Sequence, residues 1–216
     1  MLCTLLDKRE LPASELAYRA SVAPNAASAH LAKLVSGGLL KVRTSGRERL
    51  FSLAGADVAR ALEALTVIAP PVRIVALSQS RIAADLQAGR SCYDHLAGRL
   101  GVSVTDALVE RGIIVPSRES SYRLTRETEQ FFASLDVNLE ELRAERRHFA
   151  RQCMDWSERR PHLGGSLGAA LRDVFLDREW IKSRPSSRAL RITSAGQRWM
   201  RAALAIEIIR PGEVCS

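Results

Sequence analysis

A chain of 216 residues has room for one large domain or two modest ones, and it buries a core without staples. Its four cysteines, Cys3, Cys92, Cys153 and Cys215, are widely spaced and form no CxxC or CxC pair, so neither a disulfide framework nor a zinc finger is written here, and a reducing cytoplasm fits best. Lys and Arg number 32 against 24 acids, a net charge of +8 that favours polyanions, while no leader and no uninterrupted apolar span argues for export or a membrane.

Residues 1–53 concentrate that charge, with eight Lys/Arg against four Asp/Glu. Within them, LPASELAYRASVAPNAASAHLAKLVSGGLL places apolar residues at Leu16, Ala17 and Ala20, then at Ala27, Leu31, Leu34 and Val35, a spacing that predicts two short amphipathic helices. Pro24 suits the first turn of the second helix and Gly37-Gly38 its end. Next, LLKVRTSGRERLFSL alternates apolar and polar residues on both sides of Thr44-Ser45-Gly46, the pattern of a hairpin. Helix, turn, helix and hairpin make a winged helix-turn-helix. With Ala27, Leu31 and Leu34 in the core, Asn25, Ala26, Ser28, Ala29, His30 and Lys33 form an outer face for a DNA major groove, and Lys41, Arg43, Arg47 and Arg49 arm the hairpin for phosphates. Asn25 can pair with a base edge, and Ala26 or Ala29 can touch a thymine methyl.

The stretch SAHLAKLVSGGLLKVRTSGRERLFSL, residues 28–53, resembles the DNA-binding domain of ArsR/SmtB-type bacterial repressors. The resemblance covers about the first third of the chain. It implies that Ser28–Leu31 lies on the recognition helix, that Gly46–Leu53 forms the wing, and that the chain is a cytoplasmic, nucleoid-associated homodimer on double-stranded DNA. Family members carry a further helix before the segment equivalent to Leu2–Leu6, where this chain begins. The cysteines of the cadmium- and lead-sensing branch are here Lys33 and Gly37, so that metal site does not transfer.

After the wing, GADVARALEALTVIAPP sets Val58, Leu62 and Leu65 on one helical stripe, which reads as a dimerisation face or as packing against the second half of the chain. Pro70-Pro71 marks a domain boundary, giving a DNA-binding domain over 1–70 and a second domain over 71–216. The second domain repeats itself over about 90–135 and 151–205. With His95 set on His162, residues 95–114 and 162–181 share eight of twenty positions without a gap. HLAGRLG and HLGGSLG read as a short helix and turn, VTDALVERG and ALRDVFLDRE as a second helix, each followed by a hairpin and a helix capped by Thr125 or Thr193. The fold class expected is mainly α with small β-hairpins (α+β): one winged helix followed by two degenerate winged-helix-like repeats.

R-x-C-x-D occurs at Arg90–Asp94 and again at Arg151–Asp155, with His95 and His162 opening the next segments. One reading is structural, with buried cysteines, capping or arginine-paired aspartates, and core histidines. A second makes Cys92, Asp94, His95, Cys153, Asp155 and His162 an effector site for a soft or borderline ion such as Zn²⁺, Cd²⁺ or Pb²⁺, or a thiol-redox sensor through Cys92 and Cys153. A third places a small organic effector in a cleft walled by Trp156, Trp180 or Trp199. No cofactor is required by the sequence. The reading it supports is a DNA-binding regulator, a dimeric repressor released from a palindromic operator by an effector, and not an enzyme. A protein-binding winged helix and a Cys-dependent enzyme built on Cys92 and His95 are the rival classes.

Overall fold

The computed structural model describes residues 1–6, 10–69, 84–184 and 187–208. It divides into two compact units, Met1–Ile68 and Ala69–Ser216. The expected boundary at Pro70-Pro71, and Cys215, lie outside the described residues.

In the first unit a 3₁₀ turn at Leu2–Leu5 carries Leu5 into the core. Then come β1 (Leu11–Pro12), α1 (Ala13–Arg19), α2 (Pro24–Ser36), β2 (Leu40–Ser45), β3 (Glu48–Leu53) and α3 (Ala56–Ile68). Pro24 occupies the first turn of α2, where its missing N–H costs no hydrogen bond, and Gly37 caps the other end. The three strands form one antiparallel sheet in the order β1-β3-β2. Ser45 pairs with Glu48, so the hairpin closes on the two residues Gly46-Arg47, one step later than its sequence suggests. Leu16, Ala27, Leu31, Leu40, Phe51 and Ala59 fill the core, whereas Leu34, expected there, is only half-buried. Helix α3 turns Ala59 and Glu63 inward, leaves Val58 and Leu62 half-buried, and exposes Leu65.

In the second unit the repeats are plain in the element order. The first runs β4 (Arg90–Cys92), β5 (His95–Ala97), α4 (Gly98–Glu110), β6 (Ile114–Pro116), β7 (Tyr122–Leu124) and α5 (Arg126–Ala133), followed by α6 (Leu139–Arg143). The second runs β8 (Arg151–Met154), β9 (Pro161–Gly164), α7 (Gly165–Asp177), β10 (Ile181–Ser183), β11 (Leu190–Ile192) and α8 (Ser194–Trp199), which continues as a π-helical turn over Met200–Leu204. As the capping pattern predicts, the Thr125 hydroxyl accepts from the Thr128 N–H and the Thr193 hydroxyl from the Gly196 N–H.

The opening of each repeat differs from the expected helix and turn. HLAGRLG and HLGGSLG each supply a buried strand that runs into one continuous 13-residue helix. The cause is Gly98 and Gly165, with φ of +71° and +84°: each turns the chain from strand to helix in a single residue, so a glycine that reads as a helix stop is a helix start. What remains winged-helix-like in each repeat is the helix, hairpin and helix that follow.

The two repeats interlock. Helix α4 packs on β9 of the second repeat and α7 on β5 of the first. Leu100, Leu108, Ile114 and Phe132 share one core with Leu167, Phe175 and Ile181. Each such side chain contributes ~1.5–3 kcal/mol when fully buried, and since the two repeats supply opposite walls, neither closes this core alone. Trp180 and Trp199 stack 3.9 Å apart within it, against the edge of Phe175. Trp156 lies beneath the Arg90 guanidinium, 4.5 Å from ring centre to cation. All three tryptophans are thus engaged in packing, where the sequence also allowed them to wall a ligand cleft.

Candidate functional site

On the first unit, α2 presents Asn25, Ala26, Ser28, Ala29, His30 and Lys33 to solvent, while Ala27 and Leu31 on the opposite face are 1% exposed. The helical period therefore sorts the residues as major-groove reading requires. Ser28 is partly committed, because its hydroxyl donates to the Pro24 carbonyl at 3.0 Å and retains only acceptor capacity. On the adjoining hairpin Lys41, Arg43, Arg47 and Arg49 are exposed. Arg43 differs from the others: its guanidinium donates from Nε to the Glu10 carboxylate at 3.1 Å. That bond holds Glu10 below the usual carboxylate range and neutralises one wing cation. Glu10 carries no motif, and sequence reasoning missed it.

In the second unit the structure brings together all six residues of the doubled phrase. Cys92 pairs with His95 across the β4–β5 hairpin, and Cys153 with His162 across β8–β9. The two hairpins meet, so that the Sγ atoms lie 3.9 Å apart and one ligand atom from each of the four side chains lies within 4.8 Å of the others. All four residues are buried. Small residues make the room: a Cβ on Gly168 would stand 3.2 Å from His95 Cβ, and one on Gly164 would stand 3.2 Å from His95 Nε2.

Each imidazole has a carboxylate behind it. His95 Nδ1 is 3.0 Å from Asp94 Oδ1, and His162 Nδ1 is 3.1 Å from Asp155 Oδ2. Asp94 is held in turn by Arg147 at 2.8 Å. Asp155 is held by the wholly buried Arg90 at 2.9 Å, and it accepts from the Gly98 N–H at 2.7 Å and the Ser157 N–H at 2.9 Å. Burial pushes both aspartates up, but their histidines and arginines outweigh it and hold both well below the usual carboxylate range. Contact with Cys92 draws the Cys153 thiol far below its ordinary value against the opposing effect of burial, with both imidazoles assisting. Burial pulls His162 down, yet Asp155 and Cys153 raise it to about 8. The Nε2 atoms of both histidines are buried without a hydrogen-bond partner, as is Nδ1 of His162, whose approach to Asp155 is an ion-pair contact rather than an aligned hydrogen bond.

The helix-turn-helix domain family matches residues 1–43. Over 197 residues the chain is 44% identical to the uncharacterized HTH-type transcriptional regulator YdfF of Bacillus subtilis (strain 168), covering 91% of this chain and 87% of that one. The chain belongs to the HTH-type transcriptional regulators. Among solved structures, reduced HlyU from Vibrio cholerae N16961 is 34% identical over 30% of this regulator and 66% of its own chain, with a TM-score of 0.28. The homodimeric winged helix-turn-helix domain Mb0332 from Mycobacterium bovis, titled a possible ArsR-family regulator, is 33% identical over 31% and 64%, also with a TM-score of 0.28.

The stretch that resembles the ArsR/SmtB type lies where its motifs placed it, with Ser28–Leu31 on α2 and Gly46–Leu53 spanning the hairpin turn and β3. Sequence reasoning paired each aspartate loosely with a neighbouring arginine or a helix start. Asp155 has both partners, but both belong to the other repeat, and Arg147, which holds Asp94, sits in the undistinguished run RAERRHFA. No helix among the described residues is long and apolar enough to cross a membrane.

Proposed function

We propose that this regulator is a dimeric repressor whose α2 reads a palindromic operator, whose wing grips phosphates, and whose second unit answers to an effector. The observation that carries it is the exposure of one polar, sequence-reading helix face beside four exposed wing cations. The reading pairs two copies through α3, where Leu65 is 58% exposed on a helix whose other face is buried. Two-fold pairing would set the recognition helices about one DNA turn apart and match a palindrome. An effector that prefers the DNA-incompetent state shifts the population by no more than its differential affinity for the two states. The effector is a small molecule or a metal ion. The metal- or thiol-sensing form is favoured by the approach of Cys92 to Cys153.

Footprinting and anisotropy on the DNA upstream of the regulator's own gene, across a salt series, test the reading. A protected two-fold-symmetric site occupied by two chains is expected, and binding no tighter than to random DNA at every salt would overturn it. In sedimentation, Leu65→Glu should weaken the dimer at least about tenfold, because a leucine side chain buried on pairing contributes ~1.5–3 kcal/mol. A dimer indifferent to that change would exclude α3 as the pairing face.

A further inference from the structure

We propose that Cys92, His95, Cys153 and His162 form a closed tetrahedral site for one divalent ion of the Zn²⁺ class, held between the two repeats. Three independent features of the site converge on this.

The first is spacing. Four ligands around Zn²⁺, with Zn–S bonds of about 2.3 Å, place two thiolates about 3.8 Å apart along a tetrahedral edge. The observed Sγ–Sγ separation is 3.9 Å, and the full set of ligand atoms lies within 4.8 Å, so adjustments of about 1 Å or less would complete the site. The second is the pair of orphaned Nε2 atoms, each on a histidine at least 95% buried. A buried polar atom left without a partner is destabilising, and an ion would satisfy both at once. A disulfide between Cys92 and Cys153 would leave both unsatisfied. The third is the set of carboxylates behind the imidazoles. Asp94 Oδ1 hydrogen-bonds to His95 Nδ1 at 3.0 Å and so fixes that ring, while Asp155 Oδ2 stands 3.1 Å from His162 Nδ1 as an ion-pair contact; both leave Nε2 for a ligand, an arrangement general to metal-binding histidines. Arg147 and Arg90 hold those carboxylates in place.

The donor set selects the ion. Two thiolates and two imidazoles suit Zn²⁺, Cd²⁺ or Co²⁺ and do not suit the oxygen-seeking Mg²⁺ or Ca²⁺. Four protein ligands in a buried setting leave no open position for a substrate, which marks a site that holds structure rather than one that performs hydrolysis. Each repeat contributes one Cys and one His, so the ion would cross-link hairpins that are about sixty residues apart in sequence. That gives the doubled phrase a joint purpose.

The test uses the full-length protein. Elemental analysis after purification without chelator should find one zinc-class ion per chain. Co²⁺ added after chelation should give the visible bands of a tetrahedral centre together with thiolate charge-transfer absorption. Cys153→Ser should abolish the charge-transfer signal or change it to that of one thiolate. His162→Cys should retain the ion and strengthen charge transfer, which keeps the test informative if a serine variant folds poorly. Asp94→Asn, which leaves all four ligands in place, should weaken the ion by about 10–100-fold. Metal-free protein that also gives no tetrahedral Co²⁺ spectrum would overturn the proposal, as would loss of two free thiols in air with no metal bound, which would make the pair a redox dithiol. None of these readouts depends on operator binding, so failure of the repressor reading would leave them standing.

Discussion

At Gly168 the close approach of α7 to its own strand leaves no room for a side chain. A Cβ there would lie 2.3 Å from the Leu163 carbonyl oxygen and 3.2 Å from His95 Cβ. The first neighbour is backbone in a paired strand and cannot yield, so the helix must move. Gly168→Ala should therefore cost about 1–3 kcal/mol, as overpacking does, and lower the melting temperature of the second unit by several degrees. Gly55, where a Cβ meets nothing within 4 Å, supplies the control in the first unit. A thermal melt in which the two alanine variants behave alike would show that the approach is looser than the geometry states. At this scale the sequence was legible where chemistry repeats itself: the Cys, Asp and His of the doubled phrase stood out because they occur twice. It was not legible where a residue acts through distance in space. Thr105, whose hydroxyl accepts from the Leu163 N–H at 2.8 Å, and Ser157, which bonds Arg90 and Asp155, belong to no motif.

At the scale of elements, the first unit could be read almost directly, because a helix with one buried stripe and a hairpin with alternating faces write their period into the residues. The second unit misled in one place. In HLAGRLG all three strand residues are buried, so the alternation that would announce a strand is absent, and the glycine after them carries the signature of a helix end. The wing shows what the period leaves out, since four cations look equivalent in sequence while Arg43 is tied to Glu10. This yields a graded expectation for DNA binding. Arg47→Ala and Arg49→Ala should each weaken binding to all sequences and lower the salt slope by about one. Arg43→Ala should change both less, because its charge is already compensated. Anisotropy titrations from low to moderate salt measure this directly. If Arg43→Ala lowered the slope as much as Arg47→Ala, the Glu10 pair would have to open on DNA.

At the scale of the whole molecule, duplication explains why the second unit is one core rather than two. The exchange of α4 and α7 onto each other's hairpins makes both repeats necessary, and it places the four Cys and His residues on the seam between them. If an ion sits on that seam, it stabilises the second unit by mass action alone. At a free concentration one hundred times the dissociation constant, the gain is about 2.7 kcal/mol. For a unit of this size each kcal/mol moves the melting temperature by about 2–4 °C, so a strong chelator should lower the transition of the second unit by roughly 5–10 °C. The first unit has its own core and no share in the site, so its transition should stay where it was. Calorimetry with and without chelator, with Zn²⁺ restored afterwards, separates the outcomes. A shift confined to one transition and reversed by Zn²⁺ places the ion in the second unit. A scan unchanged by chelator means that the four side chains hold the seam without an ion.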